Sequence, residues 1–429
     1  MGKILRSLFN YFYPILMIDY YLIVRGINLN TLIVLPIFFI LAVVAVKIMA
    51  TKGRQSFIMS MNLFLIYCLL TVFWYLFNDA PFTCYTTMLR SFVFPIIFAY
   101  LGCQYSSDHV FNKWYVYACG FCFLVGFYLY LETPQYYLRF LAEARDNAFN
   151  ARSDINESNV IEYTRFSSFF ATSYAVSCFS VPALILSLSF ALKSKIGWER
   201  VVFYIIAFSS ILAALLCQQR IAIGSTFVVL IFWVFYSSSQ TNTKGLFGVI
   251  MAYTIVILLS IYMLGLIVSY EWFGRVSDMV TTRLGQMDFV DAMDHRKGQY
   301  TSFDRMTDFS LVFGLGLGSC GHAAVAAGLR GIADGEFIKL FYEFGVVGMA
   351  LLASIIIPTL YRGIKFFKYY YIEVIIILFY LAAGIASDSL TFFIYSIMFW
   401  YSLGRIWNKN YFNRLQQEKT NKANGIIRQ

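Results

Sequence analysis

Charge is scarce in this sequence. Only 13% of its 429 residues are Asp, Glu, Lys or Arg, about half the roughly 25% of a soluble domain. So few charged side chains cannot cover a water-facing surface of this size, which excludes an ordinary soluble enzyme. Histidine is rarer still: His109, His295 and His322 are the only three. No Cys/His cluster has zinc-ligand spacing. Cys119-Gly120-Phe121-Cys122 has the spacing of a redox pair, but it lies inside an apolar run, where thiols pack as small apolar groups. Internal repeats and low-complexity segments are also missing. A transporter built from inverted repeats would more often show two similar halves.

What the chain has in abundance is apolar length. Hydrophobic residues make up 60% of it and aromatics 19%, and the mean hydropathy is +0.67. Apolar runs recur at about 8–24, 31–49, 57–77, 86–103, 114–131, 166–192, 201–217, 221–236, 246–270, 336–360, 372–387 and 389–404. Each is close to the ~20 residues needed to cross a ~30 Å hydrocarbon core. The spacing predicts an all-α integral membrane protein, a polytopic bundle of about 12 transmembrane helices forming one domain over residues 1–429. The first run follows Lys3 and Arg6, carries Asp19 and has no small-residue cleavage site, so it is expected to be a retained helix rather than a cleaved signal.

The net charge of +10 raises the possibility of a nucleic-acid partner, but the distribution of charge argues against one. With the N-terminus inside, the inner segments hold Lys3, Arg6, Lys47, Lys52, Arg54, Lys193, Lys195, Arg200, Arg362, Lys365, Lys368 and the basic tail over 405–429. The short outer turns hold only Arg25 and Arg220. This asymmetry is the positive-inside pattern and puts both termini in the cytoplasm. Two long polar segments, about 132–165 and 271–335, then fall outside, and long loops in compact domains tend to be functional or disordered. Cys84 and Cys320 both fall near this outer face.

Within the second loop, Gly316-Leu317-Gly318-Ser319-Cys320-Gly321 fits G-x-G-x-x-G, with Asp334 and Glu336 further on. A dinucleotide site needs that motif inside a βαβ unit, and no second strand follows before the helix beginning near Glu336. A glycine turn opening toward a helix can instead present backbone N–H groups to an anion such as a lipid pyrophosphate. Arg275, Arg283, Arg296, Lys297, Arg305 and Arg330 share the loop, and guanidinium binds phosphate bidentately. Arg220 lies in a short turn between apolar flanks, and Arg90 lies about one turn inside a helix near its outer end. Glu336, Lys339 and Glu343, at spacings of three and four, share one helix face. Such a face has to meet protein or water, and a water-filled cavity open to the outside is expected there, with Asp334 just above as a candidate general base.

The order of these features resembles the O-antigen polymerase (Wzy-type) family, related to the O-antigen ligases. An arginine turn, Arg220 to Gly224, precedes a helix. A long basic loop follows, then F-G-L-G-L-G-S, A-D-G-E-F, and Y-E-F-G-V-V-G over Tyr342 to Gly348. The resemblance covers about Arg220 to Gly348 by motif and the whole chain by hydropathy. It implies a glycosyltransferase at the periplasmic face of the bacterial inner membrane. Such an enzyme transfers a growing glycan from undecaprenyl pyrophosphate onto a lipid-linked repeat unit, with no cofactor and a chain-length regulator as partner. On that reading Arg220, Arg283, Arg296 and Arg90 bind pyrophosphate with Gly316 and Gly318, while Asp334, Glu336 or His322 serves the acceptor hydroxyl. The related ligases tend to place a histidine near the junction occupied here by Asp334, a departure that favours polymerase over ligase. A lipid-linked oligosaccharide flippase or other transporter is the alternative from a different class.

Overall fold

In hydrocarbon every backbone N–H and C=O must find its partner within its own segment, so uninterrupted apolar runs become helices. A computed structural model describes residues 2–24, 34–52, 55–76, 80–105, 109–132, 166–168, 170, 172–240, 306–321, 324, 335–391 and 393–423. The described residues are helical throughout, with no strand. Seven of these segments are long and apolar enough to cross a membrane: Ser56–Tyr75, Phe82–Tyr105, Val110–Tyr130, Ser173–Lys193, Gly197–Leu216, Glu336–Lys365 and Phe367–Ile385. They mark the chain as an integral membrane protein. Each falls on a run expected from the sequence. Pro36–Thr51 and Arg220–Val234 are shorter apolar helices. The first expected run is divided between α1 (Gly2–Asn10) and α2 (Phe12–Val24), with Asp19 in α2. The expected run at 246–270 and most of the two long loops lie outside the described residues.

The described chain falls into two compact units. The first comprises residues 1–19, 29–114 and 304–429. It holds α3 (Val34–Lys52), α4 (Ser56–Leu70), α5 (Phe82–Met88), α6 (Phe94–Tyr105) and the start of α7 (Val110–Glu132). Late in the chain it adds α11 (Asp308–Phe313), α12 (Glu336–Lys365), α13 (Phe367–Ala386), α14 (Phe393–Ile406) and α15 (Lys409–Ala423). The central contact is the crossing of α6 and α14. A Cβ on Gly404 would run into the carbonyl oxygen of Ala99, and one on Gly102 would stand 2.7 Å from Tyr401 O. Small residues let two membrane helices approach backbone to backbone, where dispersion and polar contacts replace the missing hydrophobic drive.

One end of this crossing is closed by charge. Arg405 opens the basic tail in the sequence reading, but it is fully buried in α14. It pairs with Glu373 of α13 at 3.1 Å, meets His109 Nδ1 at 2.7 Å and stacks 4.1 Å from the Tyr411 ring of α15. Removing one member of such a set strands its partner in a dry interior, at a cost of roughly 3–5 kcal/mol.

The second unit comprises residues 20–28 and 115–303. Its centre is α8 (Ser173–Lys193), packed on α9 (Gly197–Leu216) and α10 (Arg220–Gln240). Apart from Tyr174, α8 is buried from Ser173 to Ala191. Its serines tolerate this because they bond back along the helix: Ser177 donates to Tyr174 O at 2.6 Å and Ser187 to Leu184 O at 2.9 Å. Thr172 caps the first turn by accepting from Ala175 N.

The glycines give a contrast in sign. Gly404→Val forces α6 and α14 apart and should lower stability by about 1–3 kcal/mol, the usual cost of overpacking. A Cβ at Gly224 of α10 meets nothing within 4 Å, so Gly224→Ala should leave stability unchanged or raise it by up to about 1 kcal/mol. Thermal unfolding of the detergent-purified variants measures both.

Candidate functional site: a broken helix and a glycine turn

α12 is long but discontinuous. Gly345 has φ +61 and ψ −168 in its middle, which breaks the hydrogen-bond ladder after Phe344. The 20 or so residues beyond it still span roughly 30 Å on their own. The break releases the carbonyls of Tyr342, Glu343 and Phe344, and each unpaired backbone group inside a membrane costs several kcal/mol. The glycine turn supplies the missing donors. Leu315 N donates to Tyr342 O at 2.8 Å and Gly316 N to Glu343 O at 3.0 Å. Tyr67 of α4 completes the set: its hydroxyl lies 2.7 Å from Phe344 O and 2.8 Å from Phe313 O, and shares one proton between them.

Glycine is required where the two backbones cross. Gly314 has φ +75, and a Cβ there would collide with the carbonyl of Glu343. A Cβ on Gly345 would sit 2.5 Å from both Gly314 N and Val312 O. The rest of the turn is stapled by the 3₁₀ turn Thr71–Leu76 that continues α4. Tyr75 donates to Leu317 O at 2.6 Å, and Leu317 N donates to Thr71 Oγ1 at 3.4 Å. Gly318 lies against the carbonyl of Cys84. The turn is therefore a built, buried element rather than an open loop.

Two turns before the break, α12 buries Glu336, Lys339 and Glu343 with 0%, 1% and 0% exposure. The shared face expected from the sequence meets protein, and no member is open to solvent as the expected cavity would have it. Their partners come from the link between α13 and α14. Lys339 Nζ lies 2.8 Å from Asp388 Oδ1, 3.3 Å from Glu336 Oε1 and 2.6 Å from Thr391 Oγ1. The first two contacts are ion pairs and the third is a hydrogen bond donated to the Thr391 hydroxyl. Glu336 Oε2 accepts from Leu390 N at 2.8 Å and Thr391 N at 3.2 Å. Glu343 differs. Its carboxylate faces the N–H groups of Gly318 and Cys320 but completes a good hydrogen bond through neither oxygen. The glycine-turn amides, read from sequence as a cradle for a pyrophosphate, thus face a carboxylate of the chain's own.

The remaining sequence candidates are dispersed. Gly316 and Gly318 are in the buried turn, and Glu336 is in the charged cluster. Arg90 is exposed on the π-helical turn Leu89–Val93. Arg220 is exposed as the first residue of α10, in the second unit. Arg283, Arg296, His322 and Asp334 lie outside the described residues. Asp388, Thr391 and Tyr67 were not singled out from sequence. Asp388 had a signal, as the one acid between the last two apolar runs; Tyr67 had none among 32 tyrosines. All eight cysteines are free thiols, Cys84 and Cys320 included. No group of His, Cys, Asp and Glu among the described residues has the arrangement of a metal site. No protein-family model and no curated protein sequence matches the chain.

Lys339→Met leaves Glu336 and Asp388 buried without their cation and should destabilise by about 3–5 kcal/mol. Adding Asp388→Asn to it should recover part of that loss. Detergent-solubilised unfolding curves of the single and double variants test the pairing. Burial pushes the Cys320 thiol up to about 12, so almost no thiolate forms at neutral pH. A maleimide should therefore leave Cys320 unlabelled in the native protein and label it after denaturation, as read by peptide mass spectrometry.

Proposed function

We propose that this protein is a polysaccharide polymerase of the O-antigen (Wzy) type. It extends a glycan carried on undecaprenyl pyrophosphate at the periplasmic face of the inner membrane, with both termini in the cytoplasm. The observation that carries the reading is the pairing of the motifs behind the resemblance. F-G-L-G-L-G-S and Y-E-F-G-V-V-G are separated in the sequence by residues 320–341. Yet the first donates Leu315 N and Gly316 N to the carbonyls of the second. Two motifs that hydropathy alone does not link are thereby joined into one element.

In this reaction the acceptor hydroxyl attacks the anomeric carbon, the bond to the lipid pyrophosphate breaks, and negative charge grows on the leaving diphosphate. Preorganised cations and N–H donors stabilise such charge. Arg220, Arg283, Arg296 and Arg90 are the proposed diphosphate ligands. Gly316 and Gly318 shape the glycine turn. Glu336 is engaged by Lys339 and two backbone amides, which suits it to holding the α13–α14 link. The proton of the acceptor hydroxyl then goes to Asp334 or His322. A chain-length regulator is the proposed protein partner, and the ligase reaction with a lipid A core acceptor uses the same chemistry.

One observation favours the transporter alternative: a discontinuous membrane helix flanked by buried charges is how many transporters build ion and substrate sites. The phenotype separates the readings. Deleting the gene should leave lipopolysaccharide carrying a single repeat unit on its core. Wild-type protein should restore the ladder, and Arg220→Ala should not. Loss of every repeat unit would instead indicate a flippase or ligase, and an unchanged ladder would refute all three.

A further inference from the structure

Among the described residues, the charged cluster at the break in α12 does not balance. It contains three carboxylates, Glu336, Glu343 and Asp388, and one ammonium, Lys339, with none more than 4% exposed. Full ionisation would give two uncompensated negative charges in a dry interior, a state that proteins avoid by neutralising a group. The geometry indicates which one. Lys339 directs its donors to Asp388, Glu336 and Thr391. Glu336 is further held by two amide donors. Glu343, like Asp388, completes no hydrogen bond through either oxygen, but unlike Asp388 and Glu336 it makes no ion pair with Lys339. The amides of Gly318 and Cys320 face it and favour the anion, but they act outside hydrogen-bond geometry and are partial charges.

We propose that Glu343 is a proton-binding site, holding one exchangeable proton in the resting protein. The step is a simple protonation. One carboxylate oxygen takes H⁺ from water, an O–H bond forms, and no electron changes hands. Lys339 and Glu336 face Glu343 from its own helix and Cys320 from the glycine turn. Cys68 faces it from α4, Tyr75 from the 3₁₀ turn and Cys84 from α5. Asp388 stands behind Lys339. None of these supplies a second cation. In the polymerase reading, a neutral Glu343 leaves the amides of the glycine turn facing an acid rather than an anion, so a diphosphate approaching the turn meets no fixed negative charge there. The proton itself does not rest on that reading.

Infrared difference spectroscopy of the full-length protein in lipid detects a protonated carboxyl through its C=O stretch, which a carboxylate lacks and which shifts when H₂O is exchanged for D₂O. At neutral pH the wild type should show this band. Glu343→Gln should abolish it, while Glu336→Gln and Asp388→Asn should keep it. Absence of the band from the wild type, or its survival in Glu343→Gln, overturns the proposal. Should Glu343→Gln not fold, Glu343→Asp should keep a protonated carboxyl but shift its C=O stretch, and an unshifted band there, or loss of the band in Glu336→Gln or Asp388→Asn, overturns the proposal. No substrate is needed, so failure of the polymerase reading and failure of this one are separate results.

Discussion

Three carbonyl groups, those of Tyr342, Glu343 and Phe344, govern much of the first unit. A helix broken inside a membrane must return its lost hydrogen bonds or lose several kcal/mol for each. Here the return is made by Leu315 N, Gly316 N and the Tyr67 hydroxyl. Those donors reach the break only if two chain segments cross at backbone distance, which fixes glycine at positions 314 and 345. Once the turn lies there, Tyr75 and Thr71 can hold its next residues. Its amides then face Glu343. The turn, the break and the 3₁₀ extension of α4 are therefore one device.

The same logic explains why charge is tolerated so deep in an apolar chain. Lys339 and Arg405 are the buried cations of α12 and α14, and each is surrounded by acceptors from other elements. Asp388 and Thr391 serve Lys339, and Glu373 and His109 serve Arg405. Between the clusters the unit relies on small-residue contact, as at Gly404 against Ala99, and on aromatic packing such as Phe64 on Phe92 and Phe344. Breaking a cluster costs more than trimming a contact, because a stranded buried charge has no second partner. The two charged clusters fix which helices may be neighbours, and the apolar contacts set how closely they approach.

Much of the architecture was legible in the sequence. Apolar length alone identified the class and the positions of the seven spans, since hydrocarbon leaves the backbone no alternative. The one-face spacing of Glu336, Lys339 and Glu343 was also visible. Their burial was not, because the balancing Asp388 lies over forty residues away in a link that reads as an ordinary turn. The glycine motif announced a turn but not its purpose. A G-x-G-x-x-G pattern fits an anion cradle and a backbone crossing equally well, and only the carbonyls freed at Gly345 distinguish them. Arg405 reads as tail because basic residues after a last span commonly are tail. Its burial depends on Glu373 and Tyr411, which no local pattern links to it. The break itself had a trace in Gly345, one of two glycines three residues apart in an apolar run, a signal shared with many unbroken membrane helices.

Amide hydrogen exchange over Gly314–Gly321 in lipid nanodiscs tests the account most directly. If the glycine turn is docked on the broken helix, the Leu315 and Gly316 amides exchange slowly, on the timescale of α12 itself, and Tyr67→Phe quickens them. Rapid exchange over this segment in the wild type, at the rate of a solvent-exposed loop, would mean that the turn does not satisfy the break. The site built on that contact would then have to be abandoned.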